Sequence, residues 1–309
     1  MTEPFERGVV MISIDTEQIW GYLDCLNQRQ FEKRFPDSPD AHTKLLSKLS
    51  SAGVSATWFV VGGLALPGTT GLLHCRPFLE RLRDERPAQE IGLHGGLTHL
   101  IWTDKHCMRN MARNELRAGV EALTEFCRAP RSFSYARNQE AYYELLPAHG
   151  IRCFRGRPPS ISWRLGRTIP GALLRGLDEV RRAVPPVVWP QRISGVLWSI
   201  PASMFLYPIG AARARVIGLR SRVERFSRGV QSAVRRRGIF HFCFHPENLA
   251  ESPHGFPVLD DMLEELMQAR QRGDVEILTM ADVLDRIERK QIYVQQKYDA
   301  KLLEADWRP

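Results

Sequence analysis

No two of the six cysteines form a Cys-x-x-Cys pair; Cys25, Cys75, Cys107, Cys127, Cys153 and Cys243 are scattered along 309 residues. That spacing speaks against a disulfide framework and against a thiolate zinc knot, and it fits reduced thiols. No apolar run approaches the roughly 18 to 20 residues that a membrane-crossing helix needs. Residues 1–7 carry neither the basic segment nor the apolar core of a secretion signal, so a cytoplasmic address is expected. Internal repeats and low-complexity tracts are also absent. Acidic residues are outnumbered, 35 against 43 Lys and Arg, for a formal charge of +8. That excess suits phosphate, nucleotides or anionic lipid head groups, or serves solubility alone. A specific nucleic-acid partner is not expected, because the arginines lack interleaved aromatics and no binding motif appears.

With 43% hydrophobic and 25% charged residues, the chain has the composition of a globular protein able to bury a large core. Residues 1–309 are expected to form one domain. Val9 to Ile14 is a nearly continuous apolar run, as in a strand covered on both faces. Further strands are predicted at 55–61, 90–93, 132–135, 151–154, 195–200, 239–244 and 275–278. Between them, helical patterns fall at 42–49, 72–86, 110–128, 140–149 and 258–271. Eight strands alternating with helices predict an α/β fold with a parallel sheet curled into a (β/α) barrel. Residues 156–237 break the pattern and are expected to form a basic insertion. Its first part, 156–194, is irregular and rich in proline and arginine. Residues 211–237 hold nine arginines against one acid, Glu224, and predict a basic helix beside the barrel.

In such a barrel the chemistry belongs at the C-terminal ends of the strands, and the polar candidates fall there. Ser13, Asp15 and Glu17 share one face if β geometry persists. Two carboxylates at a barrel mouth are costly unless a metal or a cation shares them. After the third strand comes Glu90-Ile-Gly-Leu-His94-Gly95-Gly96-Leu-Thr-His99, whose two imidazoles can converge with a carboxylate on one ion and leave a position open for water. Arg137 follows the fourth strand and can orient a nearby carboxylate. In His241-Phe-Cys-Phe-His245-Pro246 the phenylalanines point one way and both histidines the other. His245 is placed for acid–base work, and His241 for a hydrogen-bonded core position.

In this order, Ile14-Asp15-Thr16-Glu17, Ala56 to Gly62, Glu90 to His99, the Arg137 segment and Phe244-His245-Pro246 resemble the motifs of the polysaccharide deacetylase family, the NodB-homology or carbohydrate esterase 4 group. The resemblance spans roughly residues 8–155 and 195–285. It implies a distorted (β/α) barrel that removes an acetyl or formyl group from an amino sugar. By position, Asp15 is implied as general base, Arg137 as the residue holding it, and His245 as general acid. Glu17, His94 and His99 are implied as ligands of a divalent metal, Zn2+ first among them. Two departures stand out: Asp15-Thr16-Glu17 replaces adjacent aspartates, and His94 and His99 lie five rather than four residues apart. A cytoplasmic enzyme of this kind would act on a nucleotide- or polyprenyl-phosphate-linked precursor of a surface polysaccharide. The basic stretch Arg213 to Arg237 would then meet phosphate or the anionic lipid of the inner membrane face. The alternative is a catalytically inactive barrel that binds glycan or phosphosugar.

Overall fold

The computed structural model describes residues 5–67, 75–166, 168–208 and 217–290. Ten strands make one sheet: β1 (Gly8–Thr16), β2 (Thr57–Val60), β3 (Glu90–His94), β4 (Ser132–Ser134), β5 (Cys153–Gly156), β6 (Gln191–Ser194), β7 (Leu197–Pro201), β8 (Met204–Phe205), β9 (Ile239–Phe244) and β10 (Val275–Ile277). Their order is β6-β7-β5-β4-β3-β2-β1-β9-β8, with β10 paired to the first residues of β1. Every pairing is parallel except the β6–β7 hairpin. The helices are α1 (Gln28–Arg34), α2 (Ser38–Ser51), α3 (Arg76–Asp84), α4 (Arg109–Leu123), α5 (Leu145–Ala148), α6 (Ile161–Arg164), α7 (Ile169–Val180), α8 (Leu219–Arg236), α9 (Pro246–Ala250), α10 (Gly255–Gln271) and α11 (Met280–Lys290). The result is an α/β, curled half-barrel.

Strand alternation sorts the side chains into two layers. On β1, Val10, Ile12 and Ile14 join the core under the helices, whereas Val9 and Met11 join a second cluster inside the barrel. On β9, Phe240, Phe242 and Phe244 face the helices and Ile239 faces inward. His241 is fully buried on that inward side, hydrogen-bonded as expected. Toward the mouth, the inner layer changes from apolar to polar: Val9, Met11, then Ser13 and Asp15.

The opposite end is plugged by α11, whose Met280, Val283, Leu284 and Ile287 complete the inner cluster. Its first amides are satisfied by the strands above it. Met280 N donates to Thr57 Oγ1 (3.0 Å) and Ala281 N to Glu90 Oε2 (3.0 Å). A helix start buried against a sheet needs such partners.

Within 156–237, β7 is the strand expected at 195–200 and β8 joins the sheet beside β9, while the region expected to be irregular, 156–194, holds α6, α7 and β6. The basic helix is real as α8, lying over β1 and β9. Gly229 packs so closely on Phe240 that an added Cβ would sit 2.4 Å from its ring. Arg213 and Arg215 lie outside the described residues. The predicted helix at 140–149 shortens to α5, with Tyr142 at φ +49° just ahead of it. Among the described residues, no helix is long and apolar enough to cross a membrane.

If α11 is the plug of the barrel, Leu284→Ala should cost about 2–5 kcal/mol of stability, read as a lower urea midpoint with an unchanged slope.

Candidate active site at the barrel mouth

Asp15 leaves the end of β1 toward the barrel interior, and Glu17 follows it one residue past the strand. Between them they face three histidines. Glu17 Oε2 lies 2.9 Å from His99 Nε2 and 3.8 Å from His94 Nε2. Glu17 Oε1 pairs closely with His245 Nε2, which is 3.7 Å from Asp15 Oδ2. All five side chains are buried or nearly so.

Local geometry explains how the two departures from family spacing are met. Gly95 adopts φ +69°, and the backbone of Gly96 packs on that of Gly119 in α4, where a Cβ would meet main chain at 2.6 Å. Thr98 ties the loop down by donating from N and Oγ1 to Glu115 Oε2 (2.7 and 3.0 Å). The loop therefore doubles back and sets the His94 and His99 rings 4.9 Å apart. The longer Glu17 side chain folds over Gly21, where an added Cβ would fall 1.8 Å from Oε2. Only glycine leaves that space, and sequence reasoning did not single Gly21 out.

The cation against Asp15 is Arg155, not Arg137. From the inner face of β5, Arg155 donates to Asp15 Oδ2 (2.6 Å), Ser134 Oγ (2.8 Å) and Ser13 Oγ (3.2 Å). Ser13 then donates to His241 Nε2 (2.8 Å), leaving His241 Nδ1–H for the Pro201 carbonyl (3.1 Å). Arg137, at φ +56°, instead pairs with Asp24 and donates to the Gly21 carbonyl (3.2 Å). It braces the turn that cradles Glu17 and does not reach Asp15.

Burial opposes ionisation of both carboxylates, yet their partners win. Arg155, with His94 and His245, holds Asp15 below its ordinary pKa. His99 and His245 hold Glu17 well below its own. For His245, burial disfavours the charged form, but Glu17 and then Asp15 raise its pKa to about 9. Burial, helped by the Arg155 charge, drives His241 down to about 3, so it is a neutral hydrogen-bonding link.

The donor set Glu17, His94 and His99 fits a divalent metal. His94 Nδ1–H must donate to the Ser134 carbonyl (2.9 Å), which frees Nε2 as a ligand. Glu17 Oε2 is buried and completes no hydrogen bond, although two imidazole nitrogens face it. Separations of 2.9 and 3.8 Å bracket the roughly 3.3 Å between neighbouring ligands of tetrahedral zinc. Asp15, Glu17 and His245 form a second group of metal-ligand type around the same carboxylate.

No protein-family model matches the chain, and no curated protein matches it. Solved structures do. A putative polysaccharide deacetylase from Mycobacterium smegmatis aligns over 95% of this chain and 94% of its own at TM-score 0.63, with 17% identity. A probable polysaccharide deacetylase from Pseudomonas aeruginosa PAO1 aligns over 92% of each chain at TM-score 0.63, with 11% identity. The fold is that of the polysaccharide deacetylases. The Puue allantoinase shares it, over 95% of this chain and 94% of its own, at TM-score 0.61 and 10% identity. Because a deacetylase fold also carries that enzyme, the side chains at the mouth must decide the chemistry.

Two outcomes follow. Arg155→Ala leaves Asp15 buried without its cation and should cost about 3–5 kcal/mol, whereas Arg137→Ala should cost about 1 kcal/mol or less; urea denaturation compares them. A cation on Glu17 would cancel the attraction that raises the His245 pKa, so metal binding should expel a proton between about pH 7 and 9 and tighten as pH rises. Titration calorimetry in two buffers of different ionisation enthalpy measures that release.

Proposed function

We propose that the protein is a metal-dependent amide hydrolase that removes an acetyl or formyl group from an amino sugar carried on a nucleotide or polyprenyl phosphate. One observation carries this reading: β1, β3 and β9 bring Asp15, Glu17, His94, His99 and His245 to a single point at the barrel mouth.

Glu17, His94 and His99 would hold the metal, and the mixed nitrogen–oxygen set favours Zn2+. Such an ion supplies Lewis acidity toward the amide carbonyl and makes water more acidic. The protein groups do the rest. Asp15 is fixed through Oδ2 by Arg155, while its buried Oδ1 has no hydrogen-bond partner and is free to take a proton from attacking water. His245, whose Nε2 lies 3.7 Å from Asp15 Oδ2, is in its charged form the proton donor to the departing nitrogen. Water oxygen joins the acyl carbon, the carbon–nitrogen bond breaks, and the products are a carboxylate and a free amine. Phe205 packs edge-on against the His245 ring at 5.4 Å and keeps it aimed at the site.

The charge excess supports a phosphate-linked substrate over neutral finished polymer. The test is a mass-spectrometric screen of acylated nucleotide- and lipid-linked sugars for acyl loss. Asp15→Asn and His245→Ala should each lower turnover by about 100- to 10,000-fold and chelation should abolish it. Full activity in both variants would sink the reading, and activity that survives chelation would remove the metal from it.

A further inference from the structure

Helix α7 is inside out. Its polar groups face the protein: Arg175 donates to the carbonyls of Ser162 (2.6 Å) and Gly166 (2.8 Å), Asp178 accepts from Ser162 Oγ (2.9 Å), and Glu179 is buried. Its apolar groups face solvent. Ile169, Leu173, Leu177 and Val180 are 78%, 64%, 44% and 51% exposed. At spacings of four, four and three they form one continuous helix face, to which Gly176 adds open space. Ile161 and Leu165 of the α6 segment, 70% and 40% exposed, extend the stripe. A stripe this long is far beyond the single exposed apolar residues that need no explanation.

We propose that α6–α7 docks on an anionic lipid surface. Exposed Arg164 and Arg181 border the stripe, and Arg182 and Arg220 stand near its C-terminal end around Glu224. An apolar face with an arginine rim is the pattern of a helix lying in a membrane interface, with the charges reaching lipid phosphates. A second copy fits worse, since a two-fold pairing of this face would set one arginine rim against the other. The surface also adjoins the mouth. Arg175 lies over Trp163 (5.4 Å), Trp163 meets Phe205 (6.5 Å), and Phe205 meets His245 (5.4 Å). Trp163 and Phe205 thus stand in series between the inner face of α7 and the proposed acid, and a lipid-carried amide would reach the mouth past them. In this purpose the inference rests on the deacylase reading.

Vesicle sedimentation of the full chain tests it without turnover, so docking and catalysis can fail separately. The protein should bind phosphatidylcholine vesicles containing phosphatidylglycerol and leave pure phosphatidylcholine in the supernatant. Leu173→Glu with Leu177→Glu should weaken that binding about tenfold or more, and Arg164→Ala with Arg181→Ala should weaken it and flatten its salt dependence. Because all four positions are exposed, melting temperatures should not move. Three results overturn the proposal: no binding to anionic vesicles, undiminished binding by the leucine variant, or a dimer in solution that the leucine variant abolishes. Arg235→Ala with Arg236→Ala, at the far end of α8, should leave binding intact; loss there instead would assign it to the basic helix.

Discussion

Asp15 and Glu17 are 3% and 4% exposed, and two anions this deeply buried on neighbouring turns of chain cannot coexist without positive partners. The surrounding structure divides the work between them. Asp15 receives a permanent cation, Arg155, which is itself oriented by Ser134 and Ser13. Glu17 receives three imidazoles, whose charge depends on protonation and can yield to a metal. One carboxylate is thus fixed and the other is exchangeable, the asymmetry that the proposed base and the proposed metal ligand require.

The hydrogen-bond chain behind Asp15 has a single direction. Arg155 can only donate, so Ser13 Oγ accepts from it and passes its own proton to His241 Nε2, and His241 Nδ1–H ends the chain on the Pro201 carbonyl. A protonated His241 would reverse the middle link and set a second cation beside Arg155. Burial first, and then the Arg155 charge, accordingly lower its pKa to about 3. A histidine at the bottom of the site therefore stabilises the charge pattern by staying neutral.

Much of this was legible in the sequence. Continuous apolar strands separated by helices specify a parallel sheet covered on both faces, and β alternation alone puts Asp15 and His241 on the inner layer. Arg155 was missed because the fifth strand was expected to stop at Phe154; it runs to Gly156, and alternation from Cys153 inside and Phe154 outside turns Arg155 inward. Arg137 was favoured because it follows a strand, yet a left-handed turn at Arg137 and Asn138 carries it to Asp24. Gly21 was invisible, since the need for a missing Cβ arises only when Glu17 folds over it. The stripe on α7 was written in the sequence at helical spacing, but prolines and arginines around it made the region look irregular.

Helix α7 shows what a hydrophobic pattern alone cannot decide. An amphipathic repeat identifies a helix with two unlike faces and normally implies that the apolar one is buried. Here the inward side was already committed, because the Ser162, Gly166 and Ser221 groups beneath the helix need polar partners, and Arg175, Asp178 and the Glu179 carbonyl satisfy them. Turning the helix over would bury leucines against unsatisfied polar groups, each costing about 1–3 kcal/mol. Keeping it as it stands leaves the leucines in water at a comparable cost each, unless something apolar lies outside. The polar floor thus fixes the orientation, and the outward apolar face becomes an energetic demand for a partner beside the barrel mouth.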